Sequence, residues 1–140
     1  MIASRSLTEL LPPVTDLAYS FILKCHEAGI DVLIYSTYRD LEAQAALYAQ
    51  GRTTPGKIVT DAAPGFSFHN YRLAFDFVPV VFGKPAWNDR ALYKRCGEIG
   101  ESLGLEWAGR WKSFTETAHL QYTGGLTIDD LRAGKTLKVT

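Results

Sequence analysis

The chain has 140 residues, and its 15 Lys and Arg balance its 15 Asp and Glu, so the formal net charge at pH 7 is zero. No run of basic residues offers the electrostatic surface that nucleic-acid binding usually needs, so we expect no nucleic-acid partner. Chains of this length bury about two thirds of their unfolded surface on folding. We therefore expect one domain that spans residues 1–140.

The beginning of the chain contains Pro12 and Pro13 and no uninterrupted apolar segment, so it lacks the features of a secretory signal peptide. No stretch reaches the roughly 20 apolar residues that a membrane-spanning helix needs. We expect a chain made in the cytoplasm, with no insertion into a membrane.

The two cysteines, Cys25 and Cys96, lie far apart in the sequence. Their spacing fits neither a metal knuckle nor a disulfide-rich secreted scaffold. We expect buried free thiols, with a single disulfide as the alternative.

The first predicted element is an amphipathic helix from Pro13 to Ala28, with apolar residues at helical spacing and Gly29 just past its end. The next segment, "IDVLIYST", alternates and is rich in strand-forming residues. It predicts a strand that ends near Tyr38 and Arg39.

Asp40 is well placed to cap a second helix, "LEAQAALYAQ", which stops at Gly51. A loop from Arg52 to Gly65 follows, and it contains two prolines and a further glycine. Loops of this length usually have a function or are mobile.

The segment "LAFDFVPV" predicts a second strand that ends at Pro79, and Asn88 is placed to cap a helix that runs to about Leu103. Two short strands, "GLEWAG" and "HLQY", and a short terminal helix, "TIDDLRAG", complete the prediction. This mixture indicates an α+β domain with a small sheet and helices packed on it.

An aspartate stands in the second predicted strand, where Leu73, Phe75 and Phe77 share one face and Asp76 lies on the other. His69 is an odd number of residues away, so the two side chains converge only if a turn or bulge intervenes. Charges in apolar surroundings are costly unless they are paired or bind a metal. The pattern leaves open a hydrogen-bonded structural pair or a metal site.

A second cluster is formed by Glu116 and His119, whose spacing puts both on one side of a turn. Two histidines and an aspartate suit zinc and leave a fourth tetrahedral position for water. A nearby carboxylate can then take the proton of that water as it attacks a carbonyl. The alternative for each spacing alone is a structural pair, and His26, near a helix end, is expected to be structural.

Three segments together resemble a known family. "SFHNYRLAFD" is similar to the Ser-x-His-x-x-Gly-x-Ala-x-Asp motif of zinc peptidoglycan peptidases, the superfamily of D-alanyl-D-alanine carboxypeptidases, dipeptidases and phage L-alanyl-D-glutamate endolysins. "ETAHLQY" resembles its second element, and "YSTYRDLEAQAALYAQGRT" resembles its upstream Tyr-Arg-x-x-x-x-Gln segment. The resemblance covers residues 30–125 and implies an α+β fold with a small, mainly antiparallel sheet that carries a zinc cleft.

The resemblance implies roles for several residues. His69, Asp76 and His119 would bind zinc, and Glu116 would be the catalytic base. Arg39 would hold the substrate or the developing oxyanion, because a fixed cation stabilises that charge strongly in a dry site. Its alternative role is an ion pair at the end of a strand.

Two further positions concern substrate binding. The resemblance implies that Ser67 contacts the substrate near the metal, whereas its alternative role is to cap or brace the loop. Arg72 occupies the family's glycine position. A left-handed conformation there costs an arginine about 1 kcal/mol or more, unless the turn is remodelled. We also expect Arg72 to reach into the cleft and pair with an acidic substrate.

These observations predict a zinc endopeptidase that cuts peptidoglycan stem peptides between L-Ala and D-Glu. Its expected setting is a phage or prophage endolysin that acts as a monomer on the cell wall after release, with a holin-type release partner implied by the resemblance. One alternative is a D-alanyl-D-alanine carboxypeptidase or dipeptidase. Another is a non-catalytic zinc module that binds the wall, although a structural zinc site normally closes its fourth position with protein.

Overall fold

The computed structural model describes residues 1–138, in which five strands form one sheet with helices packed on it. The helices are α1 (Pro12–Glu27), α2 (Leu41–Ala49), α3 (Arg90–Ser102) and α4 (Ile128–Arg132). The strands are β1 (Asp31–Ser36), β2 (Ala74–Val81), β3 (Lys84–Pro85), β4 (Glu106–Trp107) and β5 (His119–Gln121). None of these helices has the length and apolar character needed to cross a membrane.

The sheet is antiparallel throughout, with strand order β1-β2-β5-β4 and β3 paired to the end of β2. The long strand β2 is central, because it pairs with β1 on one side and with β5 on the other. This arrangement confirms the predicted α+β class and the small antiparallel sheet.

Helices α1 and α3 cover one face of the sheet. Phe21 of α1 packs against the rings of Phe75 and Phe77 on β2, with centroids 5.7 and 5.1 Å apart. Leu120 of β5 lies against Gly100 of α3 at a distance that leaves no room for a side chain there. Because side chains alternate along a strand, the neighbours of these residues on β2 and β5 point away from the helices. The candidate site is built on that opposite face.

Several local predictions are confirmed. Gly29 follows α1 with φ of 82°, and the Asp40 carboxylate caps α2 by accepting a hydrogen bond from the backbone N–H of Ala43 at 2.8 Å. The glycine conformation and the carboxylate hydrogen bond each satisfy backbone groups that a helix end leaves unpaired. Cys25 and Cys96 are buried free thiols, as expected.

Several predicted boundaries are wrong. Strand β1 ends at Ser36, before the predicted end near Tyr38 and Arg39. Strand β2 continues through Pro79 to Val81, because the carbonyl of Pro79 still accepts a hydrogen bond, 2.8 Å long, from the N–H of Ala86. The cap of α3 is Asp89 rather than Asn88, since the Asp89 carboxylate accepts from the N–H of Leu92 at 3.1 Å. Either residue type can cap a helix, so only the folded backbone decides between neighbours.

Candidate metal centre and active-site cleft

A tight turn carries His69 to Asp76. Residues Phe68–Tyr71 form one turn of 3-10 helix, which Ser67 caps by accepting a hydrogen bond from the N–H of His69 at 3.2 Å. Arg72 ends the turn in the left-handed conformation, with φ of 63°. His69 Nε2 thereby lies 3.1 Å from Asp76 Oδ1. The predicted turn between the two residues is confirmed.

Strand pairing brings in the second histidine. His119 on β5 stands directly opposite Asp76 on β2, and its Nδ1 lies 3.3 Å from the same Oδ1 atom. One donor atom from each of His69, Asp76 and His119 lies within 4.8 Å of the others. The side chains of the two histidines are almost fully buried. The structure thus brings His119 from a later segment of the chain to the neighbouring pair of His69 and Asp76.

Neighbouring carbonyl groups determine which nitrogen of each imidazole carries a proton. His69 Nδ1 lies 2.6 Å from the backbone carbonyl of Thr37, which can only accept, so Nδ1 is the protonated nitrogen. His119 Nε2 lies 2.8 Å from Gln121 Oε1. The Gln121 amide is held in that orientation because its Nε2 donates to Glu106 at 2.6 Å. A neutral imidazole in each place turns an unprotonated nitrogen toward Asp76.

This donor set fits a metal cation. Burial lowers the pKa of His69, which favours the neutral imidazole. Burial also acts to lower the pKa of His119, but Asp76 and Glu116 outweigh it and raise that pKa, so this ring holds a proton that a bound cation would displace. Burial alone would raise the pKa of Asp76, but the two imidazoles outweigh it and keep that carboxylate ionised. Two imidazole lone pairs and a carboxylate oxygen then converge on one point, with the far side of each ring hydrogen-bonded, as is usual for metal-binding histidines.

A further carboxylate lies beside the cluster. Glu116 Oε2 is 3.6 Å from His119 Nδ1, and the side chain is 27% exposed, so it is reachable from solvent. A backbone hydrogen bond from His119 N–H to the Glu116 carbonyl, 3.3 Å long, forms the turn between the two residues. Burial raises the pKa of Glu116, which favours a carboxylate able to hold a proton.

Arg39 lies on the other side of Asp76. Its Nη1 is 3.8 Å from Asp76 Oδ2, and its side chain is 13% exposed. The guanidinium Nε donates to Gln44 Oε1 at 3.1 Å, and the Gln44 amide donates to the Ala62 carbonyl at 2.8 Å. Buried hydrogen bonds therefore fix the direction in which this cation points.

Sequence reasoning missed three residues that orient the site: Thr37, Gln44 and Gln121. Gln44 stands in the Tyr-Arg-x-x-x-x-Gln segment, which offered a signal for its pairing with the arginine. Gln121 follows His119 by two and therefore shares its face of the strand. Thr37 acts through its backbone carbonyl, so its residue type gives no signal.

An open cleft of about 580 Å³ lies over the cluster. One wall comes from the long loop after α2, and the other comes from the segment between β4 and β5. The residues that line it are Arg39, Thr60, Asp61, Ala62, Phe66, Ser67, Phe68, Trp111, Lys112, Ser113, Phe114, Glu116, His119, Gln121 and Ile128. Its shape and mixed polar and apolar lining suit an extended peptide.

Arg72 lies outside this lining. Its Nη1 donates to the Glu9 carboxylate at 2.7 Å and to the Glu9 backbone carbonyl at 2.8 Å, and its guanidinium stacks 3.9 Å above the Tyr38 ring. These contacts hold the arginine against the N-terminal segment rather than in the cleft. His26 also lies away from the cleft, in an exposed pair with Asp31 at 2.9 Å.

Comparisons with known proteins show which sequences and structures this chain is similar to. Residues 60–122 match the sequence family described as D-alanyl-D-alanine carboxypeptidase. The peptidoglycan L-alanyl-D-glutamate endopeptidase CwlK of Bacillus subtilis (strain 168) is 37% identical over 123 residues, which is 81% of this chain and 74% of that protein. The chain belongs to this family of peptidoglycan peptidases. It is accordingly an enzyme, a peptidase that acts on the cell wall.

One further relative and two solved structures are more distantly similar to the chain. The L-alanyl-D-glutamate peptidase of Listeria phage A118 is 33% identical over 126 residues, and the match covers 85% of this chain but 41% of that protein. The Serratia marcescens L-Ala D-Glu endopeptidase ChiX superimposes with a TM-score of 0.63 at 20% identity, over 87% of this chain and 89% of that one. The D,D-pentapeptidase VanY in complex with Zn(II) also gives 0.63, at 16% identity over 89% and 78% of the two chains. These two structures share the fold.

Proposed function

We propose that the protein is a zinc-dependent endopeptidase that hydrolyses the bond between L-Ala and D-Glu in peptidoglycan stem peptides. The observation that carries the proposal is the convergence of His69, Asp76 and His119 beside the carboxylate of Glu116, at the base of an open cleft. Two relatives named for this bond, one of them 37% identical, support the choice of substrate.

In this proposal His69 Nε2, Asp76 Oδ1 and His119 Nδ1 hold the zinc ion. When bound, zinc acts as a Lewis acid that makes water nucleophilic near neutral pH and polarises a carbonyl. Thr37 and Gln121 keep the two imidazoles in the tautomers that binding requires.

Glu116 serves as the general base. Its carboxylate takes a proton from the attacking water and delivers it to the amine nitrogen of D-Glu as the amide bond breaks. The raised pKa suits this task, because a weakly basic carboxylate would hold the transferred proton poorly. Arg39 supplies a fixed positive charge toward the oxyanion that develops on the carbonyl.

Ser67 contributes a contact to the substrate. Its Oγ already accepts a hydrogen bond from the N–H of His69, and its side chain lines the cleft. The hydroxyl proton therefore remains available for a peptide carbonyl. Arg72 has no part in this proposal, because it is bound to Glu9 and stacked on Tyr38.

The biological setting that we propose is host-cell lysis by a phage or prophage endolysin. Residues 1–140 would act as a single catalytic domain and as a monomer, made in the cytoplasm and released to the wall with a holin-type partner. The similarity to the Listeria phage peptidase supports this setting. Expression in a bacterial host should cause lysis only when a membrane-permeabilising protein is co-expressed, and lysis without it would contradict the need for release.

The family match leaves one alternative substrate, the D-Ala-D-Ala terminus, since the matched family is described as D-alanyl-D-alanine carboxypeptidase. Mass spectrometry of fragments released from purified peptidoglycan decides between the two. New N-terminal D-Glu that disappears with a chelator and returns with zinc is the expected result. Release of D-Ala would favour the carboxypeptidase, and no release with any metal would favour a non-catalytic wall-binding module.

A further inference from the structure

One wall of the cleft carries a lysine at the tip of a braced loop. The hydroxyl of Thr115 donates to the backbone carbonyl of Trp111 at 2.7 Å and closes this loop. The Trp111 ring packs against the imidazole of His119, with centroids 5.6 Å apart. Lys112, the next residue, lines the cleft. The residue before Lys112 is therefore packed against the metal centre, and the Lys112 side chain itself is exposed.

Lys112 differs from the other cation in the cleft lining. Arg39 is engaged with Asp76 and Gln44, as described above. Within residues 1–138, the exposed ammonium group of Lys112 has neither an ion-pair partner nor a hydrogen bond. Across the cleft, the Asp61 carboxylate lies 3.8 Å from Arg52, so that cation also has an acidic neighbour. The ammonium group of Lys112 is therefore available to attract an anionic substrate group.

The proposed substrate carries such an anion close to the cleavage point. In an L-Ala–D-Glu bond, glutamate supplies the amide nitrogen and has two carboxyl groups. Only one of them continues the peptide, so the other is free unless it is modified. A carboxylate therefore lies a few bonds from the scissile nitrogen, on the leaving-group side.

We propose that Lys112 binds this free carboxylate and makes the enzyme select stem peptides in which it is unmodified. The inference rests on the proposed function, since it takes its ligand from the L-Ala–D-Glu bond. Lys112 is then a specificity-determining residue, and its contact with the substrate fixes which side of the peptide enters each half of the cleft.

The test uses two synthetic stem peptides that differ only in this group, one with the free carboxylate of D-Glu and one with its amide. The value of kcat/KM is measured for both, with the zinc-loaded wild type, Lys112→Met and Lys112→Arg. Lys94→Met, which removes an exposed lysine from α3, is the matched control. Methionine keeps an unbranched apolar side chain of nearly the length of lysine and lacks the ammonium group with its charge and hydrogen-bond donors.

The expected wild-type preference for the carboxylate peptide is about 10-fold, the lower end of what a charge-assisted hydrogen bond gives, because Lys112 is exposed to solvent. Lys112→Met should lose this preference by slowing only the carboxylate peptide, while Lys112→Arg and Lys94→Met keep it. An equal effect of Lys112→Met on both peptides, or none on either, would overturn the inference. If the wild type cleaves neither peptide at this bond, the proposed function itself fails.

Discussion

The hydrogen bond from His119 to Gln121 gives the sharpest test of how the metal centre is organised. Gln121 is 4% exposed, and its Oε1 accepts from His119 Nε2 at 2.8 Å. In Gln121→Met, a side chain of similar volume, this buried donor loses its partner. The imidazole proton of His119 then moves to Nδ1, where it can be donated to Asp76. A proton there blocks the nitrogen that would bind the metal.

The expected magnitude follows from two estimates. Leaving a buried donor unpaired costs about 1–3 kcal/mol. Removing the partner that orients a metal-binding histidine lowers metal affinity about 10- to 100-fold. The two ranges agree, since about 1.4 kcal/mol corresponds to a factor of ten. We therefore expect the zinc dissociation constant of Gln121→Met to rise about 10- to 100-fold.

The assay is competition for zinc between the apo-protein and a chromogenic chelator of known affinity, at fixed pH. Gln50→Met is the control, because the Gln50 amide bonds only the carbonyl of Lys57, at 3.0 Å, in the loop after α2. Far-UV circular dichroism checks that both variants fold. An unchanged zinc affinity in folded Gln121→Met would refute the tautomer argument.

Three further substitutions test other parts of the account. Glu116→Gln should lower kcat about 100- to 10,000-fold, the usual contribution of a general base, while zinc still binds; retained activity would remove Glu116 from that role. Gly97→Ala should lower the free energy of unfolding by about 1–3 kcal/mol in chemical denaturation, because a Cβ there would collide with the Trp107 ring; unchanged stability would contradict this packing. Arg72→Gly should change kcat/KM less than about 2-fold, because Arg72 lies outside the cleft and relief of its left-handed conformation offsets part of the stability lost with the Glu9 pair; a large rise in KM would return Arg72 to the cleft.

Local signals in the sequence predicted local structure well. The glycine after α1, the Asp40 cap and the turn that joins His69 to Asp76 each depend on a few neighbouring residues, and each was found. The end of β2 was misjudged, because proline removes one donor but leaves a carbonyl that can still bond. The hydrogen bond that this carbonyl accepts comes from Ala86, which lies outside the segment from which the strand was predicted.

Long-range contacts set the limits of prediction at the site. The spacings of His69, Asp76, Glu116 and His119 left structural pairs open, and the resemblance to the family motifs is what singled these four residues out as a metal site with a base. The Thr37 carbonyl that orients His69 is 32 residues away in the chain, so sequence spacing could not assign it. Gln44 and Gln121 lie near Arg39 and His119 in the sequence, but their hydrogen bonds depend on side-chain orientations that spacing does not give. The position of Arg72 likewise depends on Glu9, which is 63 residues away in the chain.

The central claim is that His69, Asp76 and His119 together bind zinc. Its most direct test is an anomalous difference map, collected on both sides of the zinc absorption edge, from crystals of the zinc-loaded protein. The account predicts one strong peak within bonding distance, about 2.0–2.2 Å, of His69 Nε2, Asp76 Oδ1 and His119 Nδ1. A zinc-loaded protein with its peak elsewhere, or with no peak at these three atoms, would contradict it.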